Sequence, residues 1–365
     1  MKSRILFLGI ALYAIILGAK GQTTSQETVF TTDSVMYDNA DRSIKFGATL
    51  TLPVTHKPCP AVIIVSGTGK QDRDGTMGGH KLFAAIATYL SARGIAVLRV
   101  DDRGTGLTTG VYETSTTGDF ADDVTAGLSY LKTRKEIDPK KIGLIGHSEG
   151  GAVISIVASK SKDVAFLISI AGLASSGLDA LRKQNDDLVA SSKLPDYNKK
   201  RSNEINHIMF DTVYAYANSS LLGQKITATY DTWKKTDDEY FKTLNVQFDH
   251  FRFPVYSYTK TATGAWYRYF IRYDPANYLT KVKVPILALN GDRDLMVDAR
   301  QNLTNWKKYP AMGGNKKVTT VTLPGVNHLF QHCKSCTVQE YAQLNETFDA
   351  EALSIIDHWI DQYFE

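Results

Sequence analysis

Two hydrophobic periods divide the chain. From Thr28 to Pro53 apolar and polar residues alternate around the turn-rich "DNADRS", the period-two pattern of two antiparallel strands. Short β-branched runs follow: "AVIIVSG" (61–67), "IAVLRVD" (95–101), "KIGLIG" (141–146), "VAFLISIAG" (164–172), "PILALNG" (285–291) and "VTTVTLPG" (318–325). Near-continuous apolar runs of this length predict strands covered on both faces, as in parallel sheets.

Helical periods lie between most of these runs. "HKLFAAIATYLSARG" places Leu82, Phe83, Ile86 and Leu90 on one face and stops at Gly94. "GDFADDVTAGLSYLK" aligns Phe120, Val124, Leu128 and Leu131, with acids in its first turn. The segment Asp349 to Tyr363 carries Leu353, Ile356, Trp359 and Ile360. This alternation predicts an α/β fold: a mostly parallel, doubly wound sheet with right-handed crossovers, preceded by the antiparallel pair. It breaks between roughly Ala174 and Leu279, a polar, helical stretch rich in aromatics toward its end and too long for a bare loop. The expected organisation is therefore a core of residues 22–173 and 280–365, with a helical cap inserted at 174–279.

The first 21 residues stand apart. Lys2 and Arg4 precede an apolar run from Ile5 to Ala19, and Ala19 and Gly21 sit at the −3 and −1 positions of a cleavage site before Gln22. This reads as a secretory signal peptide, the run being shorter than the ~20 residues of a spanning helix. Export to the periplasm or outside the cell is expected, with no membrane association after cleavage. The whole chain has 42 basic and 38 acidic residues, and the leader accounts for Lys2, Arg4 and Lys20 with no acid. The mature chain is thus near charge balance, which removes the bulk argument for a nucleic-acid partner. Of three cysteines, Cys333 and Cys336 form a C-x-x-C that suits a small disulfide after export, and Cys59 is left over. Zinc at this motif would need a second well-spaced ligand pair, which His332 alone does not supply. No metal and no cofactor are expected.

The candidate chemistry centres on Gly146-His147-Ser148-Glu149-Gly150, a G-x-S-x-G between an apolar run and the helical pattern "EGGAVISIVASK". The pentapeptide alone is weak, but this context is a strand, a tight elbow and a helix, with glycines where side chains would collide. A serine hydroxyl needs a base oriented by an acid, and on such an elbow the chain order is serine, acid, histidine. "ILALNGDRDLMVD" offers Asp292, Asp294 and Asp298; Asp294 is the first choice for the acid, Asp292 the second, and Asp298 suits the cap of the next helix. His328, in "PGVNHLF" just past the last strand, is the expected base; His332 is the remaining candidate, and His358 lies in the terminal helix. Two backbone N–H groups should form an oxyanion hole, one from Glu149 and one from the loop "VSGTGKQDRDG", with Thr68 preferred and Gly69 second. Arg103, in "DDRGTGLTTG", suits an internal salt bridge better than substrate orientation.

Taken together, "SGTGKQDRDG", "DDRGTG", "GHSEGG" and "NGDRDLMV" with "NHLFQ" resemble the α/β-hydrolase superfamily, and more narrowly its exported bacterial serine esterases with an inserted helical cap. The resemblance covers about residues 28 to 363 and is thinnest in the cap. It implies an α/β-hydrolase fold, a triad of Ser148, Asp294 and His328, and a carboxylesterase acting on a small-molecule ester through an acyl-enzyme. Two positions depart from the family's pattern: Ser66 stands where a histidine is frequent, and Asp102 where a lysine is. Two other functions compete. A serine peptidase of the same fold needs acids for a free amine, for which Asp237, Asp238 and Glu239 are candidates, although a solvated charged face is the better reading of them. A non-catalytic binding module is the third, and it fits poorly with all three residue types being present in order.

Overall fold

Strand β3 (Cys59–Val65) shows why the long apolar runs become a central sheet. Ala61, Ile63 and Val65 pack into one hydrophobic cluster and Val62 and Ile64 into another, so a run with no polar residue has two buried faces. The computed structural model describes residues 30–364, so the expected signal peptide at 1–21 lies outside the described residues. An antiparallel pair, β1 (Phe30–Asp38) and β2 (Lys45–Pro53), leads in. The sheet continues with β4 (Ala96–Val100), β5 (Ile137–His147), β6 (Phe166–Ile170), β7 (Ile286–Gly291) and β8 (Val318–Leu323). Its eight strands run in the order β1-β2-β4-β3-β5-β6-β7-β8. β2 meets β4 antiparallel, and every pairing from β4 to β8 is parallel. The chain has the α/β-hydrolase fold. β8 departs from the expectation of burial on both faces: it is the sheet edge, and only Leu323 is buried.

Helices cover both faces. α1 (Leu82–Ser91) packs on one side with the C-terminal α12 (Ala350–Phe364), which contributes Leu353, Ile356 and Ile360. α2 (Thr117–Leu131) and α3 (Gly150–Lys160) pack on the other. α2 starts at a reciprocal cap: Thr116 Oγ1 accepts from the Asp119 amide at 3.2 Å, and the Asp119 carboxylate accepts from the Thr116 amide at 2.8 Å.

Between β6 and β7 the chain forms α4 (Gly177–Ser191), α5 (Asp196–Tyr216), α6 (Leu222–Lys242), α7 (Val255–Ala262), α8 (Ala265–Phe270) and α9 (Ala276–Leu279). α4 to α8 share a separate hydrophobic cluster around Ile205, Met209, Val213, Ile226 and Trp233. α10 (Ala299–Met312) then returns to the sheet, and the short α11 (Val338–Tyr341) precedes α12. No helix among the described residues is long and apolar enough to cross a membrane.

Candidate active site

Ser148 stands between β5 and α3 with φ at +55°, a left-handed conformation that a non-glycine residue adopts only when its surroundings impose it. The surroundings are backbone. A Cβ on Gly146 would lie 2.4 Å from the Gly150 carbonyl oxygen, and one on Gly150 would lie 2.5 Å from that of Val65 on β3. The Ser148 amide donates to the Ile170 carbonyl at 3.3 Å, and its own carbonyl accepts from the amides of Gly151 and Leu173 at 3.0 and 2.9 Å. The turn is thus pinned to two strands and to the start of the helix.

The three aspartates after β7 separate by their partners. Asp294 is buried and accepts four hydrogen bonds: Oδ1 from the amides of Met296 (2.7 Å) and Val297 (2.9 Å), Oδ2 from Asn290 Nδ2 (3.0 Å) and His328 Nδ1 (2.8 Å). Asp292 accepts from the Gly325 amide at 2.7 Å and braces the loop after β8. Asp298 caps α10 through the Gln301 amide at 2.6 Å. Because a carboxylate oxygen only accepts, His328 presents an N–H at Nδ1, and in the neutral imidazole that tautomer makes Nε2 the acceptor. His328 and Ser148 line the same cavity, of about 470 Å³. His332 is turned elsewhere, with its ring toward Glu346 at 3.1 Å, and His358 bonds back along α12 to the Ser354 carbonyl at 2.7 Å.

Sequence reasoning passed over His147. Its Nε2–H donates to the His328 carbonyl at 3.1 Å, and the two rings lie 4.7 Å apart. Complete burial, with His328 beside it, pushes its pKa down to about 3, so it is a neutral prop beneath His328. Its only sequence signal is its place next to the serine.

On the loop after β3, the Gly69 amide donates to the Tyr112 hydroxyl at 2.8 Å and is engaged there. Thr68 lines the cavity beside Ser148 and Glu149. The two departures from the family's pattern meet each other: Ser66 Oγ donates to Asp102 Oδ1 at 2.7 Å, and Asp102 Oδ2 accepts from the Gln71 amide at 2.8 Å. Asp102 thereby holds both ends of the 66–71 loop. Burial, with Glu149 and Asp123 nearby, pushes its carboxyl up to about 7, against the opposing pull of its two donors. A folded pKa above the ordinary ~3.9 means that the native state holds a proton the unfolded chain has released. The associated stability is complete below about pH 4 and is lost as pH rises through about 7. Asp102→Asn should flatten this slope, which thermal unfolding of both proteins between pH 4 and 8 would read. Parallel profiles for the two would contradict it.

Arg103 makes an internal bridge, with Nε and Nη2 each 2.7 Å from the Asp123 carboxylate. The acids of α6 are also engaged. Asp237 is not on a solvated face: it is buried, with both oxygens 2.6 Å from Arg201. The network that buries it was invisible in sequence, since Arg201 lies on the preceding helix. Asp238 pairs with Lys234 and Glu239 with Lys242. The aromatics between β6 and β7 divide. Trp266 and Phe270 line the cavity, while Trp233, Phe251, Phe253 and Tyr258 pack in the cluster that α4 to α8 share. Cys333 and Cys336 form a disulfide and so offer no thiolate to a metal. His332, Glu346 and Asp349 come within 4.8 Å of one another, but hydrogen bonds within the group and the start of α12 occupy them.

The fold recurs in known proteins. The family described as "alpha/beta hydrolase fold" matches residues 60–334. Esterase EstD of Thermotoga maritima is 24% identical over 283 residues, which are 77% of this chain and 57% of that protein. The chain thus matches little more than half the length of that relative. Among solved structures, the Pyrococcus furiosus esterase Pf2001 superposes with a TM-score of 0.54 at 17% identity, covering 92% of each chain. The α/β hydrolase GrgF from Penicillium sp. sh18 gives 0.53 at 16% identity, covering 91% of this chain and 98% of its own.

Proposed function

The chain belongs to the α/β-hydrolase fold family, and from that premise we propose that it is a serine esterase, with Ser148 as nucleophile, His328 as base and Asp294 as the acid that orients it. The observation that carries this reading is the Asp294–His328 hydrogen bond of 2.8 Å behind a cavity that both His328 and the strained Ser148 line. With Nδ1–H held by Asp294, His328 Nε2 takes the serine proton as Oγ attacks an ester carbonyl. The carbonyl oxygen gains a full charge and is met by the backbone N–H groups of Glu149 and Thr68, with the N-terminus of α3 behind it. His328 then protonates the leaving alcohol, and the acyl group passes to water by the same steps in reverse. This chemistry draws on no metal or cofactor.

The cavity wall favours an apolar acyl group: Leu173, Leu181, Trp266, Phe270 and Val297 face it. The peptidase reading loses its amine site, because the α6 acids considered for it are paired with basic residues. Export accords with the Cys333–Cys336 disulfide, which an oxidising compartment maintains.

Covalent labelling with a fluorophosphonate, followed by peptide mapping, tests the proposal, together with a panel of p-nitrophenyl esters of increasing acyl length and aminoacyl arylamides. Label on Ser148 and ester turnover are expected. A folded protein that takes no label would point instead to a non-catalytic binding module, and arylamide cleavage without ester cleavage to a peptidase.

A further inference from the structure

The side chain of Glu149 has no part in the mechanism just given, which uses only its backbone N–H. Yet it is a carboxyl group, 3% exposed, immediately after the nucleophile. Burying an acid is unfavourable unless its oxygens are well satisfied by donors. Here three donors converge on it from three parts of the fold. Thr68 Oγ1, on the loop after β3, donates to Oε2 at 2.7 Å. Thr117 Oγ1, in the first turn of α2, donates to Oε1 at 2.6 Å. Trp266 Nε1, on α8 between β6 and β7, donates to the same Oε1 at 2.8 Å.

Two consequences follow from chemistry. An indole N–H only donates, so its partner atom must accept, as Oε1 does. And the bond between Thr68 and Glu149 joins side chains of the two residues whose backbone N–H groups are the proposed oxyanion donors. Trp266 in turn stacks on Phe270, with ring centroids 4.9 Å apart, and both rings line the cavity. The aromatic wall contributed by the cap is therefore hydrogen-bonded to the crosspiece between the two donors.

We propose that the Glu149 side chain is a positioning residue that fixes the spacing of the oxyanion donors and ties it to the seating of Trp266, so that the cap completes the oxyanion hole as well as roofing the cavity. The inference rests on the serine-esterase reading. It separates two contributions of Trp266: the ring shapes the pocket, and the N–H acts through Glu149 on the transition state.

The test uses Trp266→Phe, which keeps an apolar ring and removes the donor, Thr68→Val, which removes the hydroxyl at nearly constant volume, and Glu149→Ala with Glu149→Gln as its conservative counterpart. Steady-state kinetics on p-nitrophenyl butyrate, the fluorophosphonate labelling rate and inhibition by phenylboronic acid are measured on each, with circular dichroism and thermal unfolding to verify folding. Trp266→Phe and Thr68→Val are each expected to lower kcat about 10-fold with KM within about twofold, a fraction of the ~10²–10³ lost with a whole oxyanion donor. The labelling rate and boronate affinity should fall in step, and Glu149→Gln should recover most of what Glu149→Ala loses. Folded Trp266→Phe and Thr68→Val variants with kcat and labelling rate within twofold of wild type would overturn the proposal. So would losses confined to KM. If wild-type protein itself takes no label, the esterase reading fails and this inference falls with it. If wild type labels and turns over while the variants match it, only the inference fails.

Discussion

Ser148→Ala is expected to reduce ester hydrolysis by about 10⁵–10⁶-fold in kcat, to the level that binding and oxyanion stabilisation alone support. His328→Ala should cost about as much, and the double variant no more than either, because the proposed nucleophile and base would act as one unit. Asp294→Asn is expected to lose about 10⁴-fold. The amide can present an N–H toward His328 Nδ1, which favours the tautomer with its proton on Nε2, the atom that must accept from serine. Asp294 also accepts from Asn290 and from the amides of Met296 and Val297, so unfolding temperatures are needed to separate lost orientation from lost structure. Asp292→Asn is the control. Its contact is with the Gly325 amide, and kcat within a few-fold of wild type is expected. Stopped assays with single-turnover amplitudes would check the series. Comparable losses at Asp292 and Asp294 would contradict the assignment of the acid.

The second large effect concerns stability. Arg201 is almost fully buried, and its guanidinium meets Asp237 with both distances at 2.6 Å and Asp249 at 2.7 and 2.8 Å. The rings of Phe241 and Phe251 lie against it, with centroids 5.4 and 4.6 Å from its central carbon. Fork geometry on two carboxylates is the arrangement in which arginine cannot be exchanged for lysine. Arg201→Met keeps much of the volume and leaves Asp237 buried without a counter-charge. A loss of about 3–5 kcal/mol is expected, against about 1 kcal/mol for Asp249→Asn, whose side chain is 20% exposed. Arg201 holds the Asp249 carboxyl down to about 2, so this part of the network is complete above the ordinary carboxylate range and is lost as pH falls toward 2. Urea unfolding monitored by fluorescence and by limited proteolysis would measure it. In Arg201→Met, cleavage should begin within α5 and α6 at urea concentrations that leave the sheet protected. A variant as stable as wild type would show that the network contributes nothing net.

Much of this was legible in the sequence because it depends on local pattern. The uninterrupted apolar runs marked the buried strands, and the glycines around Ser148 marked the elbow. For the acid, the sequence ranks Asp294 ahead of Asp292 and gives Asp298 to the cap of the next helix, but local pattern carries it no further. All three sit at one loop, and only partners elsewhere in the chain distinguish them: His328 lies 34 residues from Asp294, and Gly325 lies 33 from Asp292. The same limit hid His147 beneath His328, Ser66 against Asp102, and Arg201 around Asp237. Periodicity reports which face of an element is buried; it does not report what a polar side chain will meet once that face is covered. The charged pattern of α6 reads as solvated on its own helix, and only α5 laid across it makes Asp237 internal.

The helices between β6 and β7 have a hydrophobic cluster distinct from the two that flank the sheet. A lineage can therefore exchange the side chains that roof the cavity and drift in acyl preference while the elbow and its backbone contacts stay fixed. Trp266 is the point where that freedom ends. Its ring faces the ligand space and its N–H holds Glu149, so a change there alters preference and rate together, and selection on either property constrains the other.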